Sequence, residues 1–176
     1  MAVSTSISAE EYLRTSYSPD MEYVDGELVE RHVGEHQHSR LQSLIIMLLG
    51  GRERSGKFRV LTEQRLRVSG RKHRYRIPDV CVMALPYRHE PVITTPPHLA
   101  VEIVSPEDET GDLLAKVADY LRFGVVHVWI VDPYKRTVQE ADREGIRSRP
   151  DLRVETPRVG VVDFKDVFTQ LDQPTR

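Results

Sequence analysis

Two carboxylates and one amine fall where chemistry would need them. Asp79 follows Pro78 inside the apolar run Ile77-Pro78-Asp79-Val80-Cys81-Val82, and Glu102 sits within the next, Leu99-Ala100-Val101-Glu102-Ile103-Val104. Lys116 lies on the helical segment that follows. An acid inside so apolar a strand is unfavourable to bury unless it is paired, protonated or bound to a cation. If the two strands are sheet neighbours, the acids lie side by side and repel unless a divalent ion or a lysine comes between them. Together with a backbone carbonyl, for which Ile103 is well placed, they make an all-oxygen set suited to Mg²⁺ or Mn²⁺ and not to zinc. Such an ion would polarise a phosphodiester and acidify water, and the lysine would orient that water or offset developing charge. The plainer reading also stands at this point: Pro-Asp is a common turn, and a strand acid is often an edge residue facing water.

Other residues carry weaker signals. His36 and His38 precede the first long helix, where an imidazole can touch phosphate or carry a proton near neutral pH. Either also suits a helix start, which is the better reading for His38. Asp112 and Lys116, four residues apart, share a helix face and form an expected ion pair. Tyr120 continues that face as a packing residue. The segment Ser69 to Arg76 is basic, and Arg71, Lys72 and Arg74 around Tyr75 suit an exposed loop that tracks a nucleic-acid backbone, or a merely solvated run. Gln64 reads as a sheet-surface residue, and Trp129 and Cys81 as core. There is no phosphate-cradling glycine loop, zinc-ligand spacing or Gly-x-Ser-x-Gly elbow.

The elements that must position these groups follow from periodicity and turn chemistry. Ser8 and Glu11 predict a capped short helix ending before Pro19. Met21 to Arg31 predicts two strands joined at Asp25-Gly26. Leu41, Leu44, Ile45, Leu48 and Leu49 predict a helix that Gly50-Gly51 stops. Phe58 to Val68, Ile77 to Leu85 and Leu99 to Val104 read as strands, and Thr110 to Phe123 as a helix closed by Gly124. Val125 to Val131 is a strand covered on both faces, Thr137 to Ala141 an edge strand, and Val161 to Phe168 a final strand and turn. This order predicts an α/β fold, a mixed sheet with a helix on each face.

A chain of 176 residues, 39% hydrophobic and 30% charged, suits one domain over 1–176, with a core at about 10–168 and a loose tail. A net charge of −2 excludes a molecule that binds nucleic acid through bulk charge, so local patches must carry any such binding. The longest apolar run, Leu44 to Leu49, is too short to span a bilayer. No basic region precedes an apolar stretch at the N-terminus, so no secretory leader is expected. The lone Cys81 excludes an internal disulfide and fits a reducing compartment, with the cytoplasm as the expectation.

The segments Met21-Glu22-Tyr23-Val24-Asp25-Gly26-Glu27-Leu28, His36-Gln37, Pro78-Asp79, Val101-Glu102-Ile103-Val104-Ser105-Pro106, Asp112, Lys116, Tyr120, Gly124-Val125 and Val128-Trp129-Ile130-Val131-Asp132-Pro133 occur in an order that resembles the Uma family. That family is similar to PD-(D/E)xK nucleases whose lysine has moved to the following helix, and the resemblance spans about residues 10 to 140. It implies a restriction endonuclease-like fold and a Mg²⁺- or Mn²⁺-dependent endonuclease acting on DNA. It makes Asp79 and Glu102 the metal-binding acids and Lys116 the migrated lysine. It also draws in Glu22, one of two hairpin acids with Glu27, as a further acid at the metal, although both equally read as acids that flank the turn and face solvent, and it gives Asp112 the role of aiming Lys116. A homodimer would let such an enzyme cut both strands. Where relatives carry hydroxyls followed by arginines, this chain reads Glu107-Asp108-Glu109-Thr110-Gly111, and His127 stands where an acid is usual. The acidic stretch favours the alternative, a catalytically silent nucleic-acid-binding or assembly module on the same scaffold.

Overall fold

A computed structural model describes residues 7–31, 35–69 and 73–173. Helix α1 (Ala9–Arg14) is capped by Ser8, whose hydroxyl accepts from the Glu11 amide. Strands β1 (Met21–Val24) and β2 (Glu27–Glu30) form the expected hairpin, with Asp25 and Gly26 both at positive φ in the turn. Helix α2 (His36–Arg52) leads to β3 (Phe58–Thr62), β4 (Leu66–Ser69), β5 (Arg74–Arg76), β6 (Val80–Ala84) and β7 (Leu99–Ile103). Then come α3 (Thr110–Phe123), β8 (His127–Asp132), β9 (Thr137–Asp142), β10 (Gly145–Ser148), β11 (Arg153–Thr156), β12 (Gly160–Asp163) and α4 (Phe164–Leu171).

The principal sheet has the order β10-β9-β8-β7-β6-β3. Only β7 and β8 run parallel in it, joined by α3, so the sheet is mixed as predicted. Alternation along the strands divides the core. Val80, Val82, Leu99, Val101, Trp129 and Val131 pack with α2 and α4 on one face. Cys81, Met83, Ala100, Val128 and Ile130 pack with Val117 and Tyr120 of α3 on the other. Gly124 ends α3 at φ 111°, a conformation that L side chains rarely adopt, and a Cβ there would also meet Pro96 at 3.1 Å.

Four expectations need correcting. Thr137 to Ala141 is not at the edge, because β9 pairs with β8 on one side and with β10 on the other. Phe58 to Val68 is not one strand: Glu63 takes φ 51°, turning the chain so that β3 joins β6 while β4 joins β5 in a second sheet, β2-β1-β5-β4. The segment after β12 is a helix and not a turn. Asp163 caps it, and Phe164, Val167 and Phe168 bury one face of it. The basic segment does not stay a loop, because Arg74, Tyr75 and Arg76 form β5 and pair with β1 and β4. Among the described residues no helix is long and apolar enough to cross a membrane.

Candidate active site

Strands β6 and β7 are antiparallel neighbours, with Val80 opposite Val101. One residue further along that register, Asp79 meets Glu102. Pro78 has no N–H to give, and the ladder of β6 starts only at Val80, which leaves Asp79 at the strand's entrance. Both acids are buried, each 4% exposed. Asp79 is saturated with donors: the Ile103 amide reaches Oδ2 at 2.8 Å, the Arg31 guanidinium reaches Oδ1 at 2.9 Å, and His38 Nε2 lies 3.4 Å from Oδ2. Burial would raise its pKa, but the His38 hydrogen bond, the charges of His38 and Arg31 and the Ile103 amide together hold it low. His38 shifts upward in turn, because Asp79 outweighs the effect of burial.

Glu102 faces α3. Tyr120 donates its hydroxyl to Oε1 at 2.5 Å, and Lys116 Nζ stands 3.7 Å from Oε2. Burial pushes this carboxyl up to about 7, with Asp79 and Glu22 adding to the rise, although Lys116 and the Tyr120 hydroxyl oppose it. Lys116 keeps its charge: burial would lower its pKa, but Glu102, Glu22, Asp79 and Asp108 raise it.

Glu22 is fully buried, not facing solvent as a hairpin-flanking acid would. Its oxygens accept from Arg76 at 2.7 Å and from the Ile77 amide at 2.9 Å. Arg76 also donates to Asp119, and Arg74 donates to Asp119 and Asp25. The guanidinium of Arg74 is therefore held inside the protein instead of lying open on a loop. Arg65, just before β4, stacks its guanidinium over the Tyr12 ring at 4.6 Å. Arg71 and Lys72 lie outside the described residues. His36 is exposed at the first turn of α2. Gln64 donates to the Pro91 carbonyl, away from the acids. Burial lifts the Cys81 thiol to about 12, which leaves it inert in the core.

The structure therefore brings Asp79, Glu102, Ile103 and Lys116 together, with Glu22 behind them. It adds Arg31, His38, Tyr120 and Asp108. Asp108 lines a cleft of about 20 Å³ with Arg31, His38, Asp79, Ile103 and Lys116. His38 had a signal in the sequence: it is in helical phase with Leu41 and Ile45, the buried stripe of α2. Asp112 stays exposed, and Lys116 pairs with Glu102 instead.

No cluster of three His, Cys, Asp or Glu side chains among the described residues is arranged to hold a metal. The donors present are two adjacent carboxylates, and the cleft has a third acid, Asp108, on its wall. That set is all oxygen and fits a hard divalent cation that keeps several of its waters.

The sequence matches a family model over residues 9–159, Uma2, described as "Putative restriction endonuclease". No curated protein matches significantly. The fold is similar to the crystal structure of a "putative nuclease belonging to DUF820" from Anabaena variabilis ATCC 29413, with a TM-score of 0.82 and 21% identity. The similarity covers 94% of this chain and 99% of that one.

Proposed function

The chain belongs to the Uma2 family, and on that footing we propose that it is a divalent-metal-dependent nuclease that hydrolyses DNA phosphodiester bonds. One observation carries the reading: two buried acids sit across neighbouring strands with the Lys116 ammonium against the second. Asp79 and Glu102, joined by the Ile103 carbonyl, are the residues to hold Mg²⁺ or Mn²⁺. When bound, the ion supplies the Lewis acidity that phosphodiester hydrolysis draws on. Lys116 orients the attacking water or offsets charge on the phosphate. Tyr120 fixes Glu102, while Arg31 and His38 fix Asp79. Glu22 is fully buried and does not line the cleft that Asp79 lines, so it acts through its charge as a positioning residue. His36, Arg71 and Lys72 are assigned to the phosphates of the strand, and Arg74 anchors the segment that carries the latter two.

The test is calorimetric titration of Mn²⁺ into the wild type and Asp79→Ala, beside a DNA cleavage assay in Mg²⁺ and Mn²⁺. Binding and cleavage that both disappear in the variant support the assignment; a variant that keeps both overturns it. The second reading, a silent nucleic-acid-binding module, draws on Arg31 and Lys116, which already neutralise one acid each, and on the acidic stretch Glu107-Asp108-Glu109. Salt-dependent DNA binding without cleavage in any divalent metal would favour it.

A further inference from the structure

Glu102 begins a row of residues that crosses the principal sheet to its edge. The register pairs Glu102 with Ile130, Ile130 with Gln139, and Gln139 with Ser148. Residues directly opposite one another share a face of the sheet, and this is the face that carries α3. Past Glu102 the row becomes the floor of a cavity of about 600 Å³, walled by Val104 and Leu113 on the side of the acids. Asp108 lines both this cavity and the Asp79 cleft, so the two adjoin. With strands about 4.8 Å apart, Gln139 lies about 10 Å from Glu102. That span equals about three stacked nucleotides.

We infer that the cavity receives one unstacked base of the substrate strand, within about three nucleotides of the scissile phosphate. The inference rests on the nuclease reading above. Its volume lies in the range of small-molecule sites. The apolar Ile130, Val104 and Leu113 suit the face of a base, and the side chains of Gln139 and Ser148 make no hydrogen bond to the described residues, which leaves them for a base edge. The charges in the walls select a base over a phosphate. Asp108 and Asp132 repel an anion, and Asp108, whose Oδ2 accepts from the Ser105 amide, keeps Oδ1 to accept from an exocyclic amine. Of the cations, Arg136 is held by Asp172 and Gln37, and Arg149 by Glu140. Lys135 pairs with Asp132 at 3.7 Å but is 80% exposed at the rim, within reach of the backbone outside.

The experiment uses short single-stranded DNAs, each with one aminopurine at a different position, titrated into the full chain without divalent metal. Wild type and Asp79→Ala are both expected to change the fluorescence at one position only, because neither Asp79 nor Glu102 lines the cavity. Ser148→Trp fills the cavity from an exposed site on an edge strand, where it leaves the core intact. It is expected to abolish that signal and weaken affinity about tenfold. No position-specific signal, or the same signal from Ser148→Trp, overturns the inference. A protein that gives the signal yet cleaves DNA in no divalent metal keeps the base site and loses the hydrolase assignment.

Discussion

Tyr120 donates a hydrogen bond from its hydroxyl to Glu102 at 2.5 Å, from the same helix that brings Lys116 to the other carboxylate oxygen. Both side chains of that bond are buried, Tyr120 completely. Helical spacing makes the arrangement compact: residues four apart stand one above the other, so one face of α3 supplies a neutral donor and a cation to a single acid.

Removing that donor leaves a buried carboxyl under-bonded. Hydrogen bonds to charged groups contribute about 1.5–3 kcal/mol, so Tyr120→Phe is expected to lower unfolding stability by about 2 kcal/mol. Urea unfolding of the metal-free protein measures it. An unchanged midpoint with an unchanged slope would mean that the bond contributes nothing net.

The Glu22, Arg76 and Asp119 group is a stability element with its own signature. Arg76 lies between two acids, and all three are buried. Arg76→Met takes the cation from buried Glu22 and leaves Asp119 to Arg74 and Arg122, and it is expected to cost about 3–5 kcal/mol. Glu22→Gln in that background should cost less than it does alone, because the partner has already gone. A double-mutant cycle giving strict additivity would show that Glu22 and Arg76 do not interact.

Asp79, Glu102 and Lys116 are legible in the sequence because a charge inside an apolar strand contradicts its surroundings, and the contradiction can be seen without coordinates. Fold class is legible as well, through the order of the strands and helices. Arg31 is not, since it ends a short hairpin strand and nothing local says that it will reach a residue 48 positions away. The basic run misleads because composition cannot distinguish a solvated arginine from one held by Asp25 and Asp119. Helix α4 is hidden by its length: eight residues give only two turns of pattern, and the preceding strand blurs the start.

His36 and His38 separate two roles that the sequence leaves confounded. His38 faces Asp79, whereas His36 is exposed at the helix start. His38→Ala is expected to lower Mn²⁺ affinity about 10–100-fold, the usual effect of losing a side chain that orients a metal ligand. His36→Ala should leave metal affinity unchanged and weaken DNA binding, with a shallower dependence on salt. Calorimetry and anisotropy on the same two variants decide it. The reverse pattern would move the site to the exposed end of α2.

His98 gives the protein a pH dependence far from these acids. It is 9% exposed, its Nε2 is buried without a partner among the described residues, and the His127 ring, whose Nδ1 lies 3.4 Å from Glu140, stands 5.3 Å away. Burial, then the charges of His127 and Arg158, push it down to about 4. The unfolded chain takes this proton near pH 6.5, while the folded one resists until about pH 4. Stability is therefore complete above pH 6.5, falls as pH drops through that window, and levels off below it. A fall from 6.5 to about 4 corresponds to about 3 kcal/mol. His98→Phe keeps the ring, forfeits no Nε2 hydrogen bond, and removes the titration. The difference in unfolding free energy between wild type and this variant should drift by about that amount in favour of His98→Phe between pH 7 and 4. Parallel curves would mean that His98 takes its proton as readily in the folded protein as in the unfolded chain.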